Sequence, residues 1–334
     1  MRTSARASTG SGTPHHQPTG RTHPMNIERS TIPKPADEAE WLAARRPYFN
    51  ASSAAVLYNR HPFQTAGDYA TEKLTGKGQA RNRAMERGHR MEDMVARWWA
   101  DDQGWNHLDT PTVLYRAGSM LATVDRIVFG DDDEPLFPVE IKTTPMQMSE
   151  PSQYWLDQCQ AIMWCCGADE IALVWLDGSL DYQWQMVTAD PEFQQDMARR
   201  ADEFMAAIEF GIVPDWVRMS AGNIADLYVE TTEDPAELDD DVAVMVQAFA
   251  DKKAAVKALE SELSELKDEI AAALNDHEVG VYDGAPIVTW KRGKPRKQFD
   301  KDAFAAEYPD LVEKFTVEVP GARVFLPKLK AVET

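Results

Sequence analysis

The sequence has little cysteine, with three among its 334 residues, at positions 159, 165 and 166. No two of them have the CxxC spacing, so neither a disulfide framework nor a zinc or iron–sulfur site is indicated. Buried apolar packing is the expected role of these side chains. Three of the seven histidines lie within the first 23 positions and the other four are scattered, which argues against a metal site built from histidine.

Long apolar runs are also missing. No stretch approaches the roughly 18 apolar residues of a membrane span, and the N-terminus lacks the apolar centre of a signal peptide. With 43% hydrophobic and 27% charged residues, the composition is typical of a globular protein. We therefore expect a cytoplasmic protein that has no contact with a membrane.

Basic residues are outnumbered, 35 against 55 acidic ones, which gives a formal net charge of −20. Because nonspecific affinity for nucleic acid depends on neutralising phosphates with Lys and Arg, this balance argues against a protein that coats DNA over its whole surface. A local basic groove remains compatible with it. Excess acid elsewhere would then confine DNA to that groove by repulsion.

Composition and periodicity divide the chain into five parts. Residues 1–24 are rich in Ser, Thr, Gly, Pro and His and cannot bury enough apolar area to order themselves. Helical and strand-like segments then alternate in an α/β order, and a heptad pattern follows. The predicted parts are a disordered tail (1–36), an α/β domain (37–216), a linker (217–241), a helical arm (242–275) and a small α+β appendage (276–334).

The arm is predicted from apolar residues that recur every seven positions. The first set comprises Val242, Phe249, Val256, Leu263 and Ile270, and a second set lies three positions behind it, broken by one lysine. This spacing is typical of a coiled-coil helix. A helical hairpin that packs on its own domain fits the pattern equally well.

Charged residues interrupt an apolar, β-branched strand at "PVEIKTTP". On a strand, Glu140 and Lys142 share one face, whereas Val139 and Ile141 enter the core on the other. A surface ion pair would explain Glu140 and Lys142 alone. However, Asp125 ends the preceding apolar strand, and a hairpin turn between the strands brings its carboxylate beside Glu140. Two hard oxygen ligands favour Mg²⁺ or Mn²⁺, and a nearby lysine can act on metal-bound water.

A third carboxylate is predicted from the helix that contains "RGHRMEDMVARWW". Glu92 shares a helix face with Val95, Ala96 and Trp99, whereas Asp93 falls on the polar side. An inward carboxylate needs a metal, a lysine or a water network as its partner. A partly exposed carboxylate at the edge of the apolar stripe is the alternative.

These motifs, in this order, resemble those of the PD-(D/E)xK nuclease superfamily, which has a restriction-endonuclease-like core of a central mixed sheet flanked by helices. More narrowly, the sequence is similar to the YqaJ-like viral recombinases, relatives of phage lambda exonuclease, over about residues 38–215. The resemblance rests on "RGHRME", Asp125, "EIK" at 140–142 and "YWLDQCQ" at 154–160. A departure is Arg126, where family members often have Gly after the metal-binding Asp; we expect this side chain to contact DNA or narrow the cleft.

The resemblance implies roles for individual residues. Asp125, Glu140 and the carbonyl of Ile141 would bind metal, with Glu92 completing the site, and two ions are expected. Lys142 would activate the water. Gln158 would border the catalytic centre, although a helix-surface amide is the alternative.

The segment "EWLAARRPYFNAS" resembles the part of such exonucleases that holds a terminal 5′-phosphate. It implies that Arg45 and Ser52, joined by Thr123, bind that phosphate in this chain. A guanidinium suits the task because it holds phosphate in a bidentate fork. A solvated helix arginine is the alternative explanation of Arg45.

The implied activity is a Mg²⁺-dependent 5′→3′ exonuclease on double-stranded DNA ends that leaves 3′ single-stranded tails for phage-type recombination. A ring-like homo-oligomer and a single-strand annealing protein as partner are implied with it. Two alternatives remain open. One is an endonuclease or Cas4-like processing nuclease, which the missing cysteine cluster disfavours; the other is a non-catalytic DNA-binding assembly protein with the same fold.

Overall fold

The computed structural model describes residues 28–78, 82–318, 321 and 323–328, and these divide into two units between Val229 and Glu230. The strands of the first unit are β1 (Arg29–Pro33), β2 (Phe49–Asn50), β3 (Leu108–Asp109), β4 (Val113–Ala117), β5 (Met120–Ala122), β6 (Arg126–Phe129), β7 (Pro135–Thr143), β8 (Glu170–Leu176) and β9 (Tyr182–Thr188). Its helices are α1 (Glu38–Arg45), α2 (Ala66–Thr75), α3 (Arg83–Gln103), α4 (Gln153–Cys166), α5 (Pro191–Glu209) and α6 (Ala221–Leu227), with a 3₁₀ helix at Ala51–Tyr58. The mixed α/β class predicted from the sequence is confirmed.

A five-stranded mixed sheet in the order β3-β6-β7-β8-β9 forms the centre of this unit. Its middle strand, β7, runs antiparallel to β6 and parallel to β8. The side chains of Val139 and Ile141 leave β7 on one face and pack with Val95 and Trp99 of α3. This packing confirms the predicted alternation, since it puts Glu140 on the opposite face of the strand.

A second sheet has the order β1-β4-β5-β2 and shares a larger core with α4. Helix α4 is buried along most of its length because its residues fill this core, including Cys159 and Cys165. All three cysteines are free, as expected, and only Cys166 is partly exposed.

The apolar strand predicted to end at Asp125 is part of a segment, residues 119–129, that is divided between the two sheets. Strand β5 belongs to the four-stranded sheet and β6 to the five-stranded one, and residues 123–125 connect them. Asp125 therefore immediately precedes β6 instead of ending a strand. The apolar run does not reveal this break, because its residues are buried in both sheets.

Two predicted boundaries differ from the structure. Strand β1 lies inside the predicted disordered tail and pairs with β4 from Arg29 to Pro33, so disorder does not extend through residues 29–33; residues 1–27 lie outside the described part. Helix α6 lies in the predicted linker, where Asn223 donates to Asp68 of α2 at 2.8 Å. Both segments are short, and both contact partners distant in sequence.

The second unit contains α7 (Asp240–Leu274), β10 (Val279–Tyr282), β11 (Ala285–Thr289), α8 (Lys301–Glu307) and α9 (Pro309–Phe315). Helix α7 occupies the predicted arm and begins at the cap Asp239, whose side chain accepts from Val242. Its heptad residues Phe249, Val256 and Leu263 are exposed. Coiled-coil pairing stays a prediction. No helix within the described ranges is both long enough and apolar enough to cross a membrane.

Candidate functional site

A closed set of hydrogen bonds joins Glu140, Lys142 and Gln158. Lys142 Nζ donates to Glu140 Oε1 at 2.6 Å and to Gln158 Oε1 at 2.8 Å. Gln158 Nε2 in turn donates to the same Glu140 oxygen at 2.6 Å. Two elements supply the group, β7 for the charged pair and the first half of α4 for the amide. Gln158 is thus buried beside the carboxylate and is not the helix-surface amide considered above.

Asp125 is held next to this group by the backbone of β7. The N–H of Ile141 donates to Asp125 Oδ2 at 2.9 Å. In a strand, the N–H and C=O of one residue point to the same edge. The carbonyl of Ile141, a predicted metal ligand, is therefore on the edge of β7 that faces Asp125.

The charges of the site shift the pKa of each member. Burial raises the pKa of Asp125 well above its ordinary value, and the nearby carboxylates of Glu140 and Glu92 raise it further. Burial also raises the pKa of Glu140, against the opposing effect of Lys142. For Lys142, burial lowers the pKa, but Glu140 and Asp125 outweigh burial and the pKa is raised. Without a metal, Lys142 is therefore an ammonium group that donates hydrogen bonds.

Glu92, the third predicted carboxylate, reaches the site from α3 and is paired with an arginine. Arg126 Nη1 donates to Glu92 Oε1 at 2.8 Å, and Arg126 Nη2 contacts Asp93 at 3.4 Å. His89 lies 3.8 Å from the other oxygen of Glu92. The inward orientation predicted for Glu92 agrees with its 25% exposure, against 60% for Asp93.

Arg126 was expected to contact DNA or to narrow the cleft. The structure does not support contact with DNA, because the side chain is buried. The residue is only 7% exposed, and its guanidinium is engaged with Glu92, Asp93 and the carbonyl of Asp125. The physical reason is the excess of carboxylates around it, which makes burial of a paired guanidinium favourable where an unpaired one would be costly.

The donor set fits a divalent cation of the Mg²⁺ type. Oε2 of Glu140 is buried and has no hydrogen-bond partner, which is costly unless another group engages it. Asp125 and Glu140 are carboxylates whose charges repel, and a cation between them would remove the repulsion. Among the described residues, no three His, Cys, Asp or Glu side chains are grouped as a metal cluster. The candidate ligands are therefore two carboxylates and the Ile141 carbonyl, while Glu92 is shared with Arg126.

A second set of residues, Arg45, Ser52 and Thr123, is the predicted phosphate-binding site. Arg45, the last residue of α1, donates from Nη2 to Ser52 Oγ at 3.1 Å, and its guanidinium carbon lies 4.1 Å from the ring centre of Trp41. Burial lowers the pKa of Arg45, against the opposing effects of Tyr69 and Glu72. Arg45 is half-buried, and its guanidinium is held between Ser52 and the ring of Trp41.

Lys73 stabilises the backbone of the segment that contains Arg45. Its buried ammonium donates to the carbonyls of Arg45, Arg46 and Tyr48, at 3.1, 3.3 and 2.6 Å. These carbonyls lie at the C-terminal end of α1 and in the loop after it, where the helix itself supplies few backbone donors. This role could not be predicted from the sequence, because Lys73 lies in an ordinary amphipathic helix.

One open cleft of about 430 Å³ brings the two sets together. Of the nine predicted site residues, seven line it: Arg45, Ser52, Glu92, Thr123, Asp125, Glu140 and Gln158. Lys142 and Ile141 adjoin it through their hydrogen bonds to Glu140 and Asp125. The cleft is also lined by Trp41 and His89, which sequence reasoning missed. Gln160, the second glutamine of "QCQ", is instead bonded to Thr188 and Asp190.

Residues 40–169 match the YqaJ-like viral recombinase domain. No curated protein matches the sequence. The fold is similar to the crystal structure of an alkaline exonuclease (LHK-Exo) from Laribacter hongkongensis, with 22% identity, a TM-score of 0.43, and coverage of 52% of this chain and 93% of that chain.

Two further solved structures are similar. One is LHK-Exo in complex with dAMP, with 21% identity, a TM-score of 0.41 and coverage of 52% of this chain and 93% of that chain. The other is a phage-related exonuclease from Haemophilus somnus, with 11% identity, a TM-score of 0.39 and coverage of 49% and 96%. The match over residues 40–169 is to the same family, the YqaJ-like viral recombinases, that the sequence motifs resemble.

Proposed function

We propose that this protein is a metal-dependent 5′→3′ exonuclease that digests one strand from double-stranded DNA ends and leaves 3′ single-stranded tails for recombination. The YqaJ-like domain supports a DNA exonuclease that acts in recombination. The observation that carries the finer proposal is the single cleft shared by the carboxylates and by the Arg45–Ser52 pair. A site that holds a terminal phosphate beside a hydrolytic centre would select strand ends over internal positions.

The residues divide the reaction between them. Asp125, Glu140 and the Ile141 carbonyl would hold Mg²⁺ or Mn²⁺, and a pair of such ions supplies an activated water and stabilises the leaving 3′-oxygen. Lys142 would orient the attacking water through its ammonium group. Gln158 would hold the side chains of Lys142 and Glu140 in their relative positions, since it is hydrogen-bonded to both.

Binding of the strand end is assigned to the opposite part of the cleft. Arg45 would receive the 5′-phosphate in its guanidinium fork, with the hydroxyls of Ser52 and Thr123 as further donors. The stacking of Arg45 on Trp41 limits the rotamers of the guanidinium, so less conformational entropy is lost when phosphate binds.

The wider assembly is part of the same proposal. A ring-like homo-oligomer around DNA and a single-strand annealing protein as partner would fit recombination in the cytoplasm of a bacterial or phage-infected cell. The net charge of −20 fits enclosure of DNA in a local groove better than binding over the outer surface.

The test uses linear duplexes with 5′-phosphate or 5′-hydroxyl ends and closed circular DNA, each with Mg²⁺ and with EDTA. We expect mononucleotides from linear DNA only, faster from phosphorylated ends, and none in EDTA. Nicking of the circles would instead support an endonuclease. Absence of any cleavage with Mg²⁺ and with Mn²⁺ would support a non-catalytic DNA-binding protein.

A further inference from the structure

Three aromatic side chains form a contiguous surface cluster outside the cleft. His61 and Phe63 follow the 3₁₀ helix, and Tyr154 lies in the first turn of α4. The ring centres are 6.2 Å apart for His61 and Phe63, 5.6 Å for His61 and Tyr154, and 6.4 Å for Phe63 and Tyr154. All three pairs are edge-on, and Phe63 is 72% exposed.

The cluster adjoins the catalytic centre on its lysine side. Tyr154 is four residues before Gln158 and so shares its helix face. Burial lowers the pKa of His61, and so does the positive charge of Lys142, which therefore lies within electrostatic reach of the ring. None of the three aromatic residues lines the cleft that contains Arg45.

The positions of the two predicted phosphate sites suggest which nucleotides would reach the cluster. With the 5′-phosphate at Arg45 and the scissile phosphate at Asp125 and Glu140, a strand that continues past Lys142 brings the nucleotides on the 3′ side of the scissile bond to the aromatic cluster. A strand that is being separated from its complement exposes the faces of its bases there, and aromatic side chains stack on such faces with little regard to sequence.

A single exposed aromatic side chain is common and needs no explanation. Here the edge-on packing matters, because His61 and Tyr154 contact the ring of Phe63 while it remains 72% exposed. The phenyl ring is thus held in place by its neighbours and is still accessible to a ligand. Such a rigid ring loses little conformational entropy on stacking.

We propose that His61, Phe63 and Tyr154 form a stacking platform for an unpaired base on the 3′ side of the scissile phosphate in the digested strand. The platform rests on the proposed exonuclease function. It adds a subsite for single-stranded nucleobases to the metal and phosphate sites. Its effect is to hold the strand open behind the bond being cut, which favours separation of the next base pair.

The test follows the fluorescence of 2-aminopurine, whose emission falls when the base stacks, placed one to three nucleotides from the 5′-phosphorylated end of a duplex. Binding is measured with Mg²⁺ in a Lys142→Ala background, which should bind without cleavage. The base is already quenched by its neighbours in the free duplex, and we expect its emission to stay quenched in the complex with this parent protein. Phe63→Ala should lose this quenching and bind about five- to a hundredfold more weakly, whereas Phe63→Trp should retain it.

Phe210→Ala is the matched control, because Phe210 is 80% exposed at the end of α5. Thermal unfolding of each variant shows whether it is folded, and Tyr154→Ala gives a second reading of the same platform. Quenching that persists in both Phe63→Ala and Tyr154→Ala would contradict the proposed stacking platform but would leave the proposed exonuclease function intact. A wild-type protein that fails to digest linear DNA would instead overturn the proposed function.

Discussion

Arg126 and Glu92 form an ion pair within the carboxylate site, with Nη1 of the arginine 2.8 Å from Oε1 of the glutamate. The pair joins the start of β6 to the middle of α3. It also supplies positive charge near Asp125, whose pKa the carboxylates of Glu140 and Glu92 raise. The guanidinium therefore has a structural role that competes with use of Glu92 as a metal ligand.

Replacement of Arg126 by Met should destabilise the protein. Glu92 would lose its counter-charge while it remains three-quarters buried, and we expect the free energy of unfolding to fall by about 2 kcal/mol in EDTA. Added Mg²⁺ should restore part of the loss, because a cation can replace the guanidinium as partner. Urea denaturation with EDTA and with Mg²⁺ measures both effects.

The control is the double variant Arg126→Met with Glu92→Gln. Removal of both charges should cost less than the sum of the single changes, since neither partner is left unpaired. Strict additivity would mean that the two side chains do not stabilise each other in solution.

Stability of the metal-free protein should depend on pH through Asp125. Its pKa is raised in the folded state, so the stabilisation due to protonation is complete below the ordinary value of 3.8 and is lost as the pH rises through the raised pKa. Bound Mg²⁺ requires the deprotonated carboxylates, so the thermal shift caused by Mg²⁺ should increase with pH. Thermal unfolding in EDTA and in Mg²⁺, from about pH 5 to about pH 9, tests this relation.

Asp125→Asn should make the stability of the metal-free protein less dependent on pH. The amide oxygen can still accept from Ile141, but the negative charge is gone, so the Mg²⁺ shift should nearly vanish. Asp131→Asn, in the exposed turn between β6 and β7, is the matched control and should behave like the parent. A full Mg²⁺ shift in Asp125→Asn would remove this residue from the ligand set.

Lys142→Ala should lower the cleavage rate about a hundredfold or more while DNA binding is nearly intact. The carboxylate of Glu140 keeps its bond to Gln158 at 2.6 Å, so the ligands remain positioned when the lysine is removed. Single-turnover cleavage and equilibrium binding separate the two quantities. The exposed Lys77→Ala serves as control, and equal activity in Lys142→Ala and parent would refute the assigned role.

Arg45→Lys should reduce the preference for 5′-phosphorylated ends about tenfold, because an ammonium keeps the charge but loses the bidentate fork. The ratio of kcat/KM for phosphorylated and hydroxyl ends is the measurement. Arg97→Lys, on the exposed face of α3, is the control, because it makes the same replacement of guanidinium by ammonium away from the cleft. If the ratio is unchanged in Arg45→Lys, the phosphate is bound elsewhere.

The parts of the site that the sequence predicts are those set by local periodicity. Alternation along β7 gives the shared face of Glu140 and Lys142, and the helix stripe gives the inward side of Glu92. Both depend only on the 2.0 and 3.6 residue periods and on burial of the opposite face. The family motif adds Asp125 and Gln158, which no local rule would join to them.

The parts that could not be predicted depend on contacts between distant residues. Burial of Arg126 requires Glu92, 34 positions earlier, and the bonds of Lys73 require a loop more than 20 positions before it. The change of sheet before Asp125 is equally hidden, since β5 and β6 form one apolar run. A charged residue is buried only when its partners are in place, and the sequence does not state which partners those will be.

The basic run at 291–297 is a further candidate for DNA contact in this acidic chain. Its five Lys and Arg residues are exposed in an irregular segment after β11. Each phosphate neutralised by such a residue contributes about 0.9 to the slope of log affinity against log salt. Replacing three of its lysines by Gln should therefore weaken DNA binding and lower the slope by about 2 to 3. The three are Lys291, Lys294 and Lys297.

A matched control separates local contact from total charge. Helix α7 has three exposed lysines whose replacement by Gln changes the net charge by the same amount: Lys252, Lys253 and Lys257. If DNA binds at the basic run, only the first triple variant changes the slope, because counterions are released where phosphates are contacted and not by the protein's overall charge. Equal slopes in parent and both variants would mean that the run does not contact DNA.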